Sequence, residues 1–166
     1  MHLDFSKKVK LLTNDKAGKA GRAKWFVVNR EDIHSNSHLI DEWQVVVSSA
    51  NAGGQKRDNQ LEIIDNHSAF GRSRVALGSF KTKLEAYNFF AYVKTYIAKF
   101  MFLMTDESLS SVGKRVPDLM DYTSANPLID FSQNLDSQLY SLIGITNSEK
   151  AYIEDRVNSI RKKEMA

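Results

Sequence analysis

The chain has no cysteine, which excludes disulfides and thiolate metal sites, and it opens without an apolar leader; together these absences predict a cytoplasmic protein. An uninterrupted hydrophobic run is also lacking. The most apolar stretch, residues 80–104 (FKTKLEAYNFFAYVKTYIAKFMFLM), is crossed by Glu85, Asn88, Lys94, Thr95 and Lys99, so it is expected to be a buried core helix and not a membrane span. The common signatures of chemistry are missing too. There is no Gly-x-Ser-x-Gly, no glycine-rich dinucleotide fingerprint and no recognisable carboxylate pair. Gly18-Lys19 is followed by Ala20, without the hydroxyl that a phosphate-binding loop uses to hold magnesium. His34 and His38 have a zinc-like spacing but no third ligand nearby. A magnesium-dependent nuclease of the restriction type needs an acidic residue plus Glu-x-Lys or Asp-x-Lys; Pro117-Asp118 offers only the first half.

What is present suits one domain, or one domain with a small terminal subdomain: 166 residues, 42% of them hydrophobic. The net charge of +3 conceals an asymmetry. Residues 1–83 carry 14 Lys/Arg against 9 Asp/Glu, whereas residues 84–166 carry 9 against 11. Phosphate binding depends on local cation density, so the first half is the candidate contact surface.

Residues 1–23 pass from FSKKVKLL into NDKAGKAGRA, where glycine, alanine and spaced cations predict a mobile basic segment with no packed element. Residues 25–29 (WFVVN) and 43–47 (WQVVV) read as buried strands. The loop SSANAGGQKRDNQ then offers Ser48, Asn51, Gln55, Lys56 and Arg57, residue types that hydrogen-bond base edges and phosphates; an ordinary exposed loop has the same composition. Residues 61–64 and 73–80 read as two further strands joined by DNHSAFGR, with Arg72 and Arg74 at alternate positions on the way into the second. Thr82 and Glu85 have capping-box spacing, and they open one long helix whose inner stripe includes Leu84, Tyr87, Ile97 and Met104, with Asn88, Lys94, Thr95 and Lys99 as a narrow polar strip. Pro117 argues against a central strand, and Asn126-Pro127 reads as a turn. Leu135, Leu139 and Leu142 before Gly144 predict a short helix with a left-handed stop. Thr146 and Glu149 repeat the capping box ahead of a last helix with Ile153, Val157 and Ile160 inward. Strands first and helices last predict an α+β fold: a small mixed or antiparallel sheet packed on a long central helix, with a helical C-terminal part. The expected divisions are residues 1–23, 24–125 and 126–166.

The succession WFVVNREDI, IDEWQVVVSSANAGGQ, SFKTKLEAYNFFAYVKTYIAKF, VPDL and LDSQLYSLIGITNSEKAYIEDRV resembles the C-terminal part of bacterial type II restriction-modification adenine methyltransferases and fused methyltransferase-endonucleases. In those proteins this region is the TaqI-like specificity, or target-recognition, domain. The resemblance runs from about residue 24 to residue 157. It departs before Leu139, where the family often has tryptophan and this chain has Asn134-Leu135-Asp136. It implies recognition of double-stranded DNA beside a methyltransferase core that binds S-adenosylmethionine, with magnesium if a nuclease domain accompanies it. Neither the core's glycine motif nor its Asn-Pro-Pro-aromatic motif is present, so the chain itself is expected to carry no cofactor, no metal, no catalytic residue and no membrane contact.

Loop chemistry and charge, not the family, nominate the contact residues. Ser48, Asn51, Gln55, Lys56, Arg57, Arg72 and Arg74 are candidates for base readout, and Lys19, Arg22, Lys24, Lys81 and Lys83 for the phosphate backbone. Two other readings stay open. One is an interaction module that docks on a methyltransferase core through apolar surface near VPDLMDY. The other is a small magnesium-dependent nuclease with Asp58, Glu62 and Asp65 gathered near Lys81 or Lys83.

Overall fold

The computed structural model describes residues 4–14, 23–48, 61–71, 74–104 and 116–165. Strands come first and helices last, as the sequence predicts for an α+β fold. Strands β1 (Lys8–Asn14), β2 (Ala23–Asn29), β3 (Trp43–Ser48), β4 (Glu62–Ile64), β5 (Ser68–Phe70) and β6 (Arg74–Phe80) make two sheets, in the orders β2-β1-β5 and β4-β3-β6. The first sheet is mixed, with β1 antiparallel to β2 and parallel to β5, and the second is antiparallel throughout.

The expectation of an unpacked basic segment over residues 1–23 fails at KVKLLTN, which is β1. Side-chain alternation is the reason. Val9 is buried with Ala69 and Ile40 on one face, and Leu12 is buried with Val46 and Ile64 on the other. Apolar residues on both faces make β1 a central strand, while Lys8 and Lys10 conceal the pattern. The link DNHSAFGR also contains a strand, β5, too short at 3 residues to show a period. WFVVN is a strand but not a buried one: β2 is the outer strand, with Trp25 49% and Val27 53% exposed. Aromatic and β-branched residues mark a strand without fixing its place in a sheet. In β3 the alternation serves two layers, Val45 and Val47 packing toward the helices and Val46 toward the first sheet.

The capping box is formed: the Glu85 N–H donates to Thr82 Oγ1 at 3.3 Å, and the Thr82 N–H donates to Glu85 Oε2 at 3.1 Å. The single long helix is not. Helix α1 (Lys83–Val93) ends at Lys94, and α2 (Tyr96–Met104) begins after Thr95. Thr95 Oγ1 donates to the Tyr92 carbonyl at 2.7 Å and accepts the Ala98 N–H at 3.3 Å, while Asp136 Oδ1 accepts the Tyr96 N–H at 2.7 Å. These two acceptors supply the orphan donors of a new helix start, so the break is satisfied and not frayed. Burial pushes the Asp136 carboxyl above its ordinary value, against the Tyr96 N–H and Lys99, which favour the charged form.

The polar strip is also largely covered. Asn88, Thr95 and Lys99 are buried, and Asn88 Nδ2 donates to the Tyr122 carbonyl at 2.7 Å. Leu84, Tyr87 and Met104 face outward instead, because the second sheet lies under Ala86, Phe89 and Val93. Helix α3 (Leu135–Ile143) stops at Gly144 with φ 80, as predicted, although Tyr140 is buried and Leu142 is half exposed. Helix α4 (Asn147–Met165) opens on its capping box, where the Thr146 N–H donates to Glu149 Oε2 at 2.8 Å. Leu139, Tyr140 and Ile153 join Phe89, Tyr92 and Val45 in one core, so the C-terminal helices close the layer over the second sheet.

Candidate nucleic-acid interface

Lys19, Arg22, Asn51, Gln55, Lys56, Arg57 and Arg72 lie outside the described residues, but the residues that flank them lie within. Asn14 pairs with Ala23 at the end of the β1–β2 hairpin. Beside it, the Gly71 N–H donates to the Leu12 carbonyl at 3.0 Å, and the Arg74 N–H donates to the Gly71 carbonyl at 3.0 Å. Arg74 pairs with Ser48, the last residue of β3, and Glu62 opens β4 opposite Val46. These pairings link the openings of all three candidate segments at one end of the stacked sheets. Lys24, opposite Thr13, stands at the same end and is exposed. Lys81 and Lys83 do not. They follow Phe80, which pairs with Trp43 at the far end of the second sheet, and both are exposed.

Arg74 is set into a wall. Its side chain is 10% exposed and faces Glu62 Oε2 at 3.9 Å, and among the described residues its buried Nε has no hydrogen-bond partner. It lines a 240 Å³ cavity together with Gln44, Asn36 and Phe70. Burial of an arginine without full hydrogen bonding is costly, so Glu62 is the group that makes its charge tolerable there.

A second feature was not legible in the sequence. Lys10, Trp25, Trp43, Asp65, Lys83 and Tyr87 line a groove of 460 Å³ between the first sheet, β4 and the start of α1. Lys83 Nζ lies 5.7 Å from the Trp43 ring centroid and 5.4 Å from that of Tyr87, and Lys10 Nζ lies 5.8 Å from that of Trp25. Only the spacing of Lys83 and Tyr87, four apart on a helix, pointed to any of this. Asp65 organises the floor: Oδ1 accepts from Ser68 Oγ at 2.6 Å and the His67 N–H at 3.1 Å, and Oδ2 pairs with Lys10 Nζ. Burial raises the Asp65 carboxyl, but the hydrogen bonds from Lys10, Ser68 and His67 together outweigh it and leave the group below its ordinary value.

A depressed carboxylate stabilises the folded state above its unfolded pKa and loses that contribution as pH falls through its folded value. Asp65→Asn is therefore expected to cost about 1 kcal/mol at pH 7, the usual scale for a partly buried charged hydrogen bond. In urea titrations the gap between the two proteins should narrow as pH falls from about 5 to 2, below the ordinary carboxylate range. A gap that stays constant over that range would show that the hydrogen bonds do not depend on the charge.

No helix among the described residues is long and apolar enough to cross a membrane, and no three His, Asp or Glu side chains among them gather to hold a metal ion. The frame is that of an α+β domain with segments of mixed polar and basic character leaving one end of two stacked sheets. Comparison of the chain with protein-family models, with curated proteins and with solved structures finds no match.

Proposed function

We propose that the chain is a sequence-specific double-stranded DNA recognition domain of a cytoplasmic type II restriction-modification enzyme, working beside a methyltransferase core that is not part of this sequence. S-adenosylmethionine, and magnesium if a nuclease domain is present, would be bound by those other parts. The observation that supports this reading is the shared end of the sheets. Asn14 and Ala23, Ser48 and Leu61, and Gly71 and Arg74 bracket the three segments that hold Lys19 and Arg22, then Asn51, Gln55, Lys56 and Arg57, then Arg72. Side chains carried on loops from one end of a rigid sheet stack can reach adjacent base pairs, with lysines on the flanking phosphates.

The test is selection from a randomised duplex pool at several salt concentrations. An enriched motif that persists as salt rises is expected, with Gln55→Ala or Arg72→Ala relaxing one position of it by about 1–3 kcal/mol. Lys19→Ala or Arg22→Ala should instead weaken all sequences alike and reduce the salt slope by about one unit. Unselective retention that is lost at moderate salt would overturn autonomous readout.

A second reading, docking on a methyltransferase core, draws on apolar surface near VPDLMDY. Met120 is 83% exposed with φ 65, and Leu128 is 67% exposed. Asp118 Oδ1 holds the strained residue by accepting its N–H at 2.9 Å. Under this reading Met120→Ser weakens binding to such a core more than changes in residues 51–60 do.

A further inference from the structure

We propose that the groove formed by Trp25, Trp43, Tyr87, Lys10 and Lys83 binds an unpaired nucleotide of single-stranded nucleic acid. This goes beyond duplex readout by the loops, since the groove is built from other residues and does not depend on them. Trp25 is 49% and Tyr87 50% exposed, so aromatic surface is open to a ligand and not consumed in the core. The groove's volume, 460 Å³, lies within the usual range for small-molecule sites.

Its charge narrows the ligand class. Lys10 is neutralised by Asp65, whereas Lys83 rests over two aromatic rings and has no carboxylate partner among the described residues. The charge of Asp65 is offset toward an anion by the paired ammonium of Lys10. A ligand that answers both features needs a flat π-face for the indoles and phenol and an anion for the ammonium of Lys83. A nucleobase with its 5′ or 3′ phosphate has both, and stacking on aromatic side chains is the way unpaired bases are held without regard to sequence. In duplex DNA those faces are already stacked, so the site discriminates for single strands.

The chain's two tryptophans are Trp25 and Trp43, and both line the groove, so intrinsic fluorescence reports on it directly. Titration of the full chain with a 12-nucleotide oligothymidylate is expected to quench that fluorescence saturably. A blunt duplex of two annealed strands and inorganic polyphosphate should not do so. Tyr87→Ala, which leaves both reporters in place, is expected to weaken binding about 5- to 150-fold, and Trp25→Ala by a similar factor measured by anisotropy of a labelled oligonucleotide. Lys83→Ala should lower the salt slope by about 0.7. Leu84→Ala, exposed on the same helix and outside the groove, should change neither, and Gln55→Ala should leave the quench intact whatever it does to duplex selection. Quenching by polyphosphate or by the duplex to the same extent, or full affinity of the oligothymidylate for Tyr87→Ala with native circular dichroism, would each overturn the proposal.

Discussion

Replacing Phe89 by alanine is expected to remove about 3–5 kcal/mol of folding stability, the scale for deleting a buried aromatic ring. Phe89 is 2% exposed, with its ring centroid 5.1 Å from Phe80 and 5.0 Å, edge-on, from Tyr122. Three stretches of chain meet on this ring: β6 through Phe80, α1 itself, and the irregular residues after Val116 through Tyr122. The packing leaves no room for collapse. A Cβ placed on Gly78 would stand 2.9 Å from the Phe80 ring and 3.3 Å from that of Phe89. Leu84, which the helical spacing assigned to the core, is 55% exposed, and Leu84→Ala should stay within about 0.5 kcal/mol of the parent. Urea denaturation of the two variants decides the orientation of α1. A larger loss for Leu84→Ala than for Phe89→Ala would mean that the inner stripe is the one drawn from spacing.

Gly71→Ala is expected to destabilise by about 1–3 kcal/mol, toward the upper end. Its Cβ would lie 2.2 Å from Thr13 Oγ1 and 2.8 Å from Thr13 Cβ, and a β-branched side chain has little freedom to swing aside. The clash forces β5 away from β1 at the hydrogen bond from the Gly71 N–H to the Leu12 carbonyl. Thr13→Gly removes both obstructing atoms. A double-mutant cycle should therefore show a favourable coupling of at least about 1 kcal/mol between the two changes. Additive losses would mean that the glycine matters for its backbone conformation and not for the space beside Thr13.

What the sequence disclosed follows from how far each interaction reaches along the chain. The Thr82–Glu85 and Thr146–Glu149 boxes and the left-handed stop at Gly144 are written within a few residues, and the structure has all three. The division of the central helix was concealed because half its cause, the Asp136 carboxylate on the Tyr96 N–H, comes from 40 residues away. Strand β1 was concealed by its lysines, and β5 by its brevity. Of the contact residues, Arg74 shows the limit of reading charge as exposure: its side chain is only 10% exposed, with Glu62 Oε2 at 3.9 Å. Beyond the spacing of Lys83 and Tyr87, the groove could not be read, since Lys10, Trp25, Trp43 and Lys83 come from four separate elements.

The parallel pairing of β1 with β5 also governs the order in which the chain can acquire structure. The β1–β2 hairpin is a local unit, but the partners that cover it arrive later: Ile40, then Val46 and Ile64, then the strand Ser68–Phe70. Long-range parallel contacts of this kind form slowly because loop closure comes before any gain from contact. During synthesis from the N-terminus, Leu12 is uncovered until Val46 and Ile64 have left the ribosome and Val9 is not fully covered until Ala69 of β5 has, and a two-stranded ribbon alone is marginal in water. A nascent chain halted before Ser68 thus presents a sticky, half-finished sheet, and Gly71, which lets β5 close against Thr13, is where the first layer becomes complete.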